Sequence, residues 1–235
     1  MTRRVRAEPV NQLLGQLFRA HPWHGVSIGP DAPKQVTCFI EIVPADRVKY
    51  EIDKQTGFLK LDRPQLYSNV CPAPYGLIPQ TYCGAAVAAM TMERTGRTGI
   101  QGDGDPLDVC VLTQSPITHP DVLVQARPVG GLRMLDGNEA DDKIIAVLAG
   151  DGLYGSWSDL SEIPPAVVTR LVHYFETYKL APGAVKKPIE VTHVFGREEA
   201  HALIGRAQAD YHDRYGDLEK ALAAALEGGP GSHQA

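Results

Sequence analysis

The sequence predicts a mainly β fold with α-helices, built as a closed or nearly closed antiparallel β-barrel that C-terminal helices flank. Several short segments rich in β-branched residues follow one another at close spacing between residues 36 and 149. Turn residues, rather than regular helices, join them, and this arrangement is typical of a barrel. A helical period that begins with proline appears only after Pro164.

The predicted strands occupy the first two thirds of the chain. Residues 48–53 alternate strictly between apolar and polar side chains, which places Lys49 and Glu51 on one face and Tyr50 on the other. The turn at 54–57 then predicts a hairpin with the next apolar run. We expect strands over 36–43, 48–53, 58–63, 107–113, 121–129, 131–136 and 143–149.

Helices are predicted downstream of the strands. Pro164 and Pro165 suit a first helical turn, and apolar residues at helical spacing continue to Tyr178. Residues 197–215 show the same period, and the pattern predicts a continuation over 218–227.

Length and composition are those of one soluble domain. The 235 residues contain no long linker, so we predict a single domain with an N-terminal arm over 1–34, a core over 36–180 and a disordered tail over 228–235. A formal net charge of -5 argues against a nucleic-acid partner, and no apolar stretch is long enough to predict a membrane span. The four cysteines lack CxxC spacing, which favours a reducing, cytoplasmic location.

Three carboxylates lie within the six residues Asp103-Gly104-Asp105-Pro106-Leu107-Asp108. At an effective dielectric of about 20, two unit charges about 4 Å apart repel by about 4 kcal/mol, so the cluster favours a bound cation. Carboxylate oxygens suit Mg²⁺, Mn²⁺ or Ca²⁺. The pattern is not that of an EF-hand, because Asp108 stands where its glycine belongs and Gln114 where its glutamate belongs. A solvated acidic turn is the alternative.

A second acidic group, at 136–143, lies between two predicted strands. By itself, this group is typical of a hairpin loop. If the barrel brings it beside Asp103, Asp105 and Asp108, carboxylates from two loops can hold several Mg²⁺ ions roughly 3.5 to 4 Å apart. That arrangement suits in-line displacement at phosphorus.

Such a site also needs donors for a polyanionic substrate. Arginine binds phosphate oxygens through two parallel hydrogen bonds, lysine acts as a point charge, and a tyrosine hydroxyl can donate one bond. Taken singly, each such residue is more often a surface charge or a core aromatic. The candidates are Lys49, Arg63, Lys143, Lys179, Tyr75 and Tyr178.

Together these motifs resemble the soluble family I inorganic pyrophosphatases. Residues 41–44 (Glu-Ile-Val-Pro) are similar to a Glu-Ile-Pro strand end of that family, and residues 49–54 match its Lys-Tyr-Glu-Ile-Asp-Lys signature. Residues 103–109 match its Asp-Gly-Asp-Pro-hydrophobic-Asp-Val signature. The resemblance covers residues 36–180 and continues through Asp62-Arg63, Tyr75-Gly76, Pro128-Val129-Gly130, the 136–143 loop and Tyr178-Lys179.

The resemblance implies a five-stranded OB-like barrel that hydrolyses inorganic pyrophosphate to two phosphates, forms a homo-oligomer and uses several Mg²⁺ ions, with Mn²⁺ or another divalent ion as a substitute. It implies that Asp105 accepts the proton of a metal-activated water and that Glu51 acts through metal-bound water or the basic residues. The implied metal ligands are Asp103, Asp108, Asp136, Asp141 and Glu41. The implied phosphate contacts are Lys49, Arg63, Tyr75, Lys143, Tyr178 and Lys179.

Two other functions stay open on the residues alone. A phosphatase or phosphotransferase could use Asp103 as a covalent nucleophile, although that class places its Asp-x-Asp motif after a strand of a parallel α/β domain. A Ca²⁺-binding module without turnover could use the same acids, although it has no need for the surrounding lysines and arginine.

Residues 83–100 form a segment longer than in the short bacterial members of the family, which suggests a lid or a subunit contact.

Overall fold

The computed structural model describes residues 18–180, 183, 189–216 and 224. The predicted tail over 228–235, the predicted helix over 218–227 apart from residue 224, and residues 1–17 of the predicted arm lie outside this part of the chain. The strands are β1 Val36–Ile42, β2 Val48–Ile52, β3 Leu59–Pro64, β4 Tyr75–Leu77, β5 Gln101–Gly102, β6 Asp108–Leu112, β7 Val122–Asp136, β8 Glu139–Ala140, β9 Lys143–Leu148 and β10 Ile189–Gly196. The helices are α1 Ala85–Thr95, α2 Pro165–Thr177 and α3 Arg197–Tyr215, with a short 3-10 helix at Leu160–Glu162.

Five of these strands form a closed ring. Their order is β1-β4-β6-β9-β7, and β7 pairs with β1 again. The mainly β, OB-like fold class is therefore confirmed. Four of the five pairings are antiparallel, and β6 and β9 run parallel, with Asp108 opposite Lys143. The β2–β3 hairpin forms a separate sheet.

β7 is one strand of 15 residues where the sequence predicts two. Its register against β9 shifts between Pro128 and Gly130, so the strand bends there without ending. The half before the bend pairs with β1 and the half after it pairs with β10. The bend thus lets one continuous strand serve two neighbours.

Alternation along the ring strands divides the core into two parts. On β6, Val109 and Val111 pack in one cluster with α1 and α3, whereas Cys110 and Leu112 pack in another with α2. Because side chains alternate with a period of two, Asp108 shares the face of Cys110 and Leu112. This face, with α2 against it, is where the candidate site lies.

The segment at 83–100 contains the helix α1, which the sequence analysis does not predict. Its residues Val87, Ala88, Met90 and Thr91 are buried. One face of α1 is therefore part of the core, whereas residues 96–99 after it are exposed, and a lid or a subunit contact stays a prediction. In the described residues, no helix is long and apolar enough to cross a membrane.

Gly76→Ala is expected to lower the free energy of unfolding by about 3 kcal/mol or more, because overpacking of buried backbone forces strands apart. A Cβ atom at Gly76 would lie 1.9 Å from the carbonyl oxygen of Phe39 on the neighbouring β1. At Gly152 a Cβ atom meets no atom within 4 Å, so Gly152→Ala is the matched control, with a change within about 0.5 kcal/mol. Equal denaturation midpoints for the two variants would contradict the close approach of β1 and β4.

Candidate active site

The two acidic groups of the sequence meet where β6 and β9 lie side by side. The Lys143 ammonium donates to Asp108 Oδ2 and to Asp141 Oδ1. Tyr75 on β4 donates its hydroxyl to the same Asp108 oxygen at 2.5 Å. Three ring strands thus bring these four residues together and form the centre of the site.

The charges at this centre depend on one another. Burial by itself lowers the pKa of Lys143, but Asp108 and Asp141 outweigh that effect and raise its pKa well above the ordinary value. Burial raises the pKa of Asp141, and the Lys143 ammonium opposes only part of the rise. Burial and the charge of Asp108 also raise the pKa of Tyr75. The centre therefore holds a protonated lysine and a protonated phenol against carboxylates that additional positive charge would stabilise.

Asp103 and Asp105 lie in the turn between β5 and β6. Gly104 between them has a positive φ of 76°, and the Asp105 amide donates to Asp103 Oδ1 at 2.9 Å. Burial and the nearby charge of Asp141 raise the pKa of Asp103 to about 8. The Asp105 carboxylate is 46% exposed and accepts a hydrogen bond from Lys54. The two aspartates of the Asp-x-Asp motif therefore have different surroundings, one among carboxylates and one beside a lysine.

The β2–β3 hairpin contributes a chain of alternating charges. Lys49 lies opposite Arg63 in the hairpin register. The Lys49 ammonium is 3.0 Å from Glu51 Oε2 and 3.1 Å from Asp62 Oδ2. Arg63 donates to the same Asp62 oxygen at 2.6 Å. Asp62 thus joins the two phosphate-binding candidates of the hairpin.

The end of α2 supplies Tyr178 and Lys179. Lys179 Nζ lies 2.7 Å from Asp136 Oδ2. The buried Tyr178 ring has its centre 5.4 Å from Lys179 Nζ and 5.8 Å from the Arg63 guanidinium carbon, within the range of a cation–π contact. Tyr178 therefore links the hairpin to the second acidic loop.

Glu41 at the end of β1 is the most buried carboxylate among the predicted site residues, with 5% of its surface exposed. Its Oε1 accepts a hydrogen bond from the Ile52 amide at 2.6 Å. Burial, and then the charge of Asp108, raise the pKa of Glu41 to about 8, although the Ile52 amide and Lys49 act in the opposite direction. Glu41 therefore connects the hairpin to the central group of charges.

Asp142, which the sequence groups with the acids of the second loop, points away from the centre. It forms a buried ion pair with Arg133, and its Oδ1 accepts the Met134 amide at 3.0 Å. Arg133 also contacts Glu199 on α3 at 2.8 Å and Thr91 on α1 at 3.0 Å. This network fixes Asp142, and its neighbours Asp141 and Lys143 contact the centre of the site.

All the predicted site residues are joined by the contacts and electrostatic interactions described above into one group. The sequence analysis leaves out two members, Lys54 and Asp62. Lys54 lies within the 49–54 signature and Asp62 precedes Arg63, but nothing in the local pattern indicates their partners. Lys54 belongs to the group because it contacts Asp105, which is distant from it in sequence. Asp62 belongs to it because it contacts Lys49 across the hairpin.

The donor set fits a hard divalent cation. Over the described ranges, no group of three or more His, Cys, Asp or Glu side chains is arranged as a metal cage. The Lys143 ammonium instead lies against Asp108 and Asp141. Asp103 and Asp141 nevertheless offer oxygen ligands, and their proximity, which raises the Asp103 pKa, is the repulsion that a divalent cation relieves.

Glu41→Gln is expected to stabilise the metal-free protein near pH 8 and to have little effect near pH 4. The pKa of Glu41 is raised from 4.5 to about 8, so the folded state binds more protons than the unfolded state between these values, and stability falls as the pH rises through them. Glutamine stays neutral and avoids this loss. At about 1.4 kcal/mol for each pKa unit, the gain near pH 8 is on the order of a few kcal/mol.

Thermal unfolding in EDTA across this pH range measures the effect. The exposed Glu139 supplies the control, because Glu139→Gln removes a carboxylate without this burial. The same pH dependence in Glu41→Gln and in the unsubstituted protein would show that Glu41 is not the buried titrating group.

Comparison with known proteins gives a consistent result. A profile of the inorganic pyrophosphatase family matches residues 38–212. The inorganic pyrophosphatase of Chlamydia trachomatis serovar D is 51% identical over 196 residues, which cover 82% of this chain and 94% of that protein. The soluble inorganic pyrophosphatase of Zea mays is 40% identical over 179 residues, covering 74% and 75%. The crystal structure of inorganic pyrophosphatase from Thermus thermophilus matches with a TM-score of 0.69 and 32% identity, over 82% of this chain and 99% of that one.

Proposed function

The chain belongs to the inorganic pyrophosphatase family, and from its site we propose that it hydrolyses inorganic pyrophosphate to two orthophosphates. One observation carries the proposal. The Asp108, Lys143 and Asp141 side chains are in contact at the centre, and further cations from the β2–β3 hairpin and from the end of α2 belong to the same group. Acids alone would suit a cation, whereas acids interleaved with cations suit a cation together with a polyanion.

In this proposal the carboxylates hold several Mg²⁺ ions. Their ligands are Asp103, Asp108, Asp136, Asp141 and Glu41. When bound, such ions neutralise phosphate charge and lower the pKa of a coordinated water. Glu51 acts through its contact with Lys49, whose ammonium it holds at 3.0 Å.

The phosphates are bound by side chains that already lie against carboxylates. Lys143 contacts Asp108 and Asp141, Lys179 contacts Asp136, and Lys49 and Arg63 contact Asp62. Each of these cationic groups can donate hydrogen bonds to a phosphate oxygen, either in place of its carboxylate partner or in addition to it. Tyr75 and Tyr178 keep their protons, because burial raises the pKa of both, so their hydroxyls can donate to phosphate.

Asp105 is the proposed general base. Its carboxylate is 46% exposed and lies outside the Asp108, Lys143 and Asp141 contacts. It can therefore accept a proton from the attacking water, a role that contributes typically 10²–10⁴-fold to rate.

Phosphate release from pyrophosphate with Mg²⁺, and its loss with EDTA, is the direct test. The proposal would be refuted if the protein released no phosphate from pyrophosphate with Mg²⁺ and none with Mn²⁺ in its place. The phosphatase alternative has no support in the fold, since Asp103 lies in the turn before β6, which belongs to a ring of mainly antiparallel strands. The calcium-module alternative leaves the interleaved cations without a use. A homo-oligomer and a cytoplasmic location stay predictions.

Arg63→Lys is expected to lower kcat/KM by about 10- to 150-fold, because lysine keeps the charge but loses the two parallel hydrogen bonds to a phosphate. This fall corresponds to a loss of roughly 1.5–3 kcal/mol of transition-state stabilisation. Steady-state kinetics at saturating Mg²⁺ measure the change. Arg47 is exposed on the way into the same hairpin, so Arg47→Lys is the control and should be nearly silent. If Arg63→Lys is equally silent, Arg63 does not contact phosphate.

A further inference from the structure

The carboxylate of Asp210, on α3, caps a helix other than its own. Its Oδ2 accepts the amides of Gly84 and Val87, each at 3.0 Å, and its Oδ1 accepts the Ala86 amide at 2.9 Å. Gly84 is the N-cap of α1 and offers no side chain for this purpose. Asp210 is 7% exposed, so its charge depends on these donors.

The backbone just before α1 is bonded to the loop that carries the first acidic cluster. The Cys83 amide donates to the Asp105 carbonyl at 2.8 Å, and the Gly104 amide donates to the Cys83 carbonyl at 3.1 Å. The Thr81 hydroxyl accepts the Leu107 amide at 2.9 Å. Residues 81–84 therefore hold residues 104–107 in place through these three hydrogen bonds.

The two segments also lie too close for independent movement. A Cβ atom at Gly102 would lie 2.1 Å from the Cys83 carbonyl oxygen and 2.7 Å from that of Gly84. Behind this segment, the Tyr82 amide donates to the Ala207 carbonyl of α3 at 2.9 Å. A displacement of residues 82–84 relative to α3 must therefore shift the loop that precedes β6.

From these contacts we propose that Asp210 is a positioning residue for the carboxylate loop, which it holds through residues 81–84. The inference rests on the proposed function, because Asp103 and Asp105 in that loop serve catalysis there. It also assigns a role to the start of α1. The N-cap residue and the first turn of this helix present three amides that the carboxylate of Asp210 binds, and the bound segment fixes the position of the carboxylate loop. Neither Asp210 nor α1 touches the substrate in this account.

The test is Asp210→Asn, which keeps the shape of the side chain but turns an NH2 group toward at least one of the three amide donors. We expect kcat to fall by about 10- to 100-fold, as for a catalytic group displaced by about 1 Å, and the affinity for Mg²⁺ to fall with it. Asp159→Asn is the matched control. Asp159 likewise accepts backbone amides, from Ser161 at 3.0 Å and from Arg197 at the start of α3 at 2.9 Å, and it is remote from the loop in these contacts. Its replacement should lower thermal stability without changing kcat.

Hydrogen exchange separates positioning from simple capping. Loss of a cap alone speeds exchange at Gly84, Ala86 and Val87, whereas positioning also speeds exchange at Cys83 and Gly104 by about 10-fold or more. Faster exchange confined to the three capped amides, or a kcat equal to that of the unsubstituted protein, overturns the proposal.

A measurement on the unsubstituted protein covers the case in which Asp210→Asn does not fold. The Gly104 amide should then show the same protection factor, the exchange rate of an unprotected amide of the same sequence divided by its own, as the three amides that Asp210 accepts, since one opening event exposes them all. A lower protection factor at Gly104 overturns the proposal. These exchange rates do not depend on catalysis, so a failure of the unsubstituted protein to hydrolyse pyrophosphate would refute the proposed function separately.

Discussion

Asp108→Asn is expected to remove nearly all Mg²⁺-dependent hydrolysis of pyrophosphate. Asp108 is the residue on which the central contacts converge: Lys143 and Tyr75 both donate to its Oδ2, and its charge helps to raise the pKa of Glu41. Asparagine has nearly the same volume but no charge for a divalent cation. Loss of several kcal/mol of charge stabilisation corresponds to a fall in kcat of about 10³-fold or more, measured by steady-state phosphate release.

The same variant also tests how charge is balanced in the metal-free protein. Repulsion among the acids alone would predict a gain in stability, but Lys143 would keep only Asp141 as a carboxylate contact. Removal of one partner of a buried charge is destabilising, so we expect no rise in the melting temperature in EDTA. Asp213→Asn, at an exposed position of α3, is the silent control. Near-normal turnover of Asp108→Asn would exclude Asp108 from the metal site.

The parts of the fold that the sequence predicts are those with a strong local period. The alternation over 48–53 and the strand predicted over 107–113 correspond to β2 and β6. The proline-initiated helix corresponds to α2 and the 197–215 period to α3, each with bounds close to those predicted. In these segments, the side that faces the core is already set by spacing along the chain.

The parts that the sequence does not predict depend on distant partners. β10 is held by pairing with the second half of β7, and α1 is capped by a carboxylate from α3. The sequence predicts two strands over the range of β7 because Pro128 and Gly130 interrupt the pattern, yet a register shift accommodates both residues. Such features are fixed by tertiary contacts, which leave little trace in local propensity.

The composition of the site was more predictable than its contacts. The motifs give the acids and cations in order, but the parallel pairing of β6 with β9, which places Lys143 opposite Asp108, cannot be obtained from either segment alone. Asp142 illustrates the limit. It belongs to the same acidic run as Asp141, yet it pairs with the buried Arg133, whereas Asp141 pairs with Lys143.

Asp105→Asn is expected to lower kcat by about 10²–10⁴-fold while the affinity for Mg²⁺ changes less than in Asp108→Asn. The amide of Asp105, which donates to Asp103 Oδ1, is retained in the variant, so the turn that aims Asp103 should keep its shape. Only the carboxylate beside Lys54 is lost. The observed contacts therefore separate the proposed proton acceptor, Asp105, from the central carboxylates. The two measurements to compare are kcat from phosphate release and Mg²⁺ affinity from calorimetry.

Lys54→Met provides the matched variant, because it removes the hydrogen-bonding partner of Asp105 and keeps the carboxylate itself. If Asp105 accepts the proton, Lys54→Met should lose far less activity than Asp105→Asn, since the accepting group is still present and 46% of it is exposed to solvent. If Mg²⁺ binding instead collapses in Asp105→Asn as fully as in Asp108→Asn, Asp105 is a metal ligand and the general base must be sought elsewhere. A kcat that stays within a few-fold of the unsubstituted protein would remove Asp105 from the chemistry altogether, because a general base contributes at least about 10²-fold.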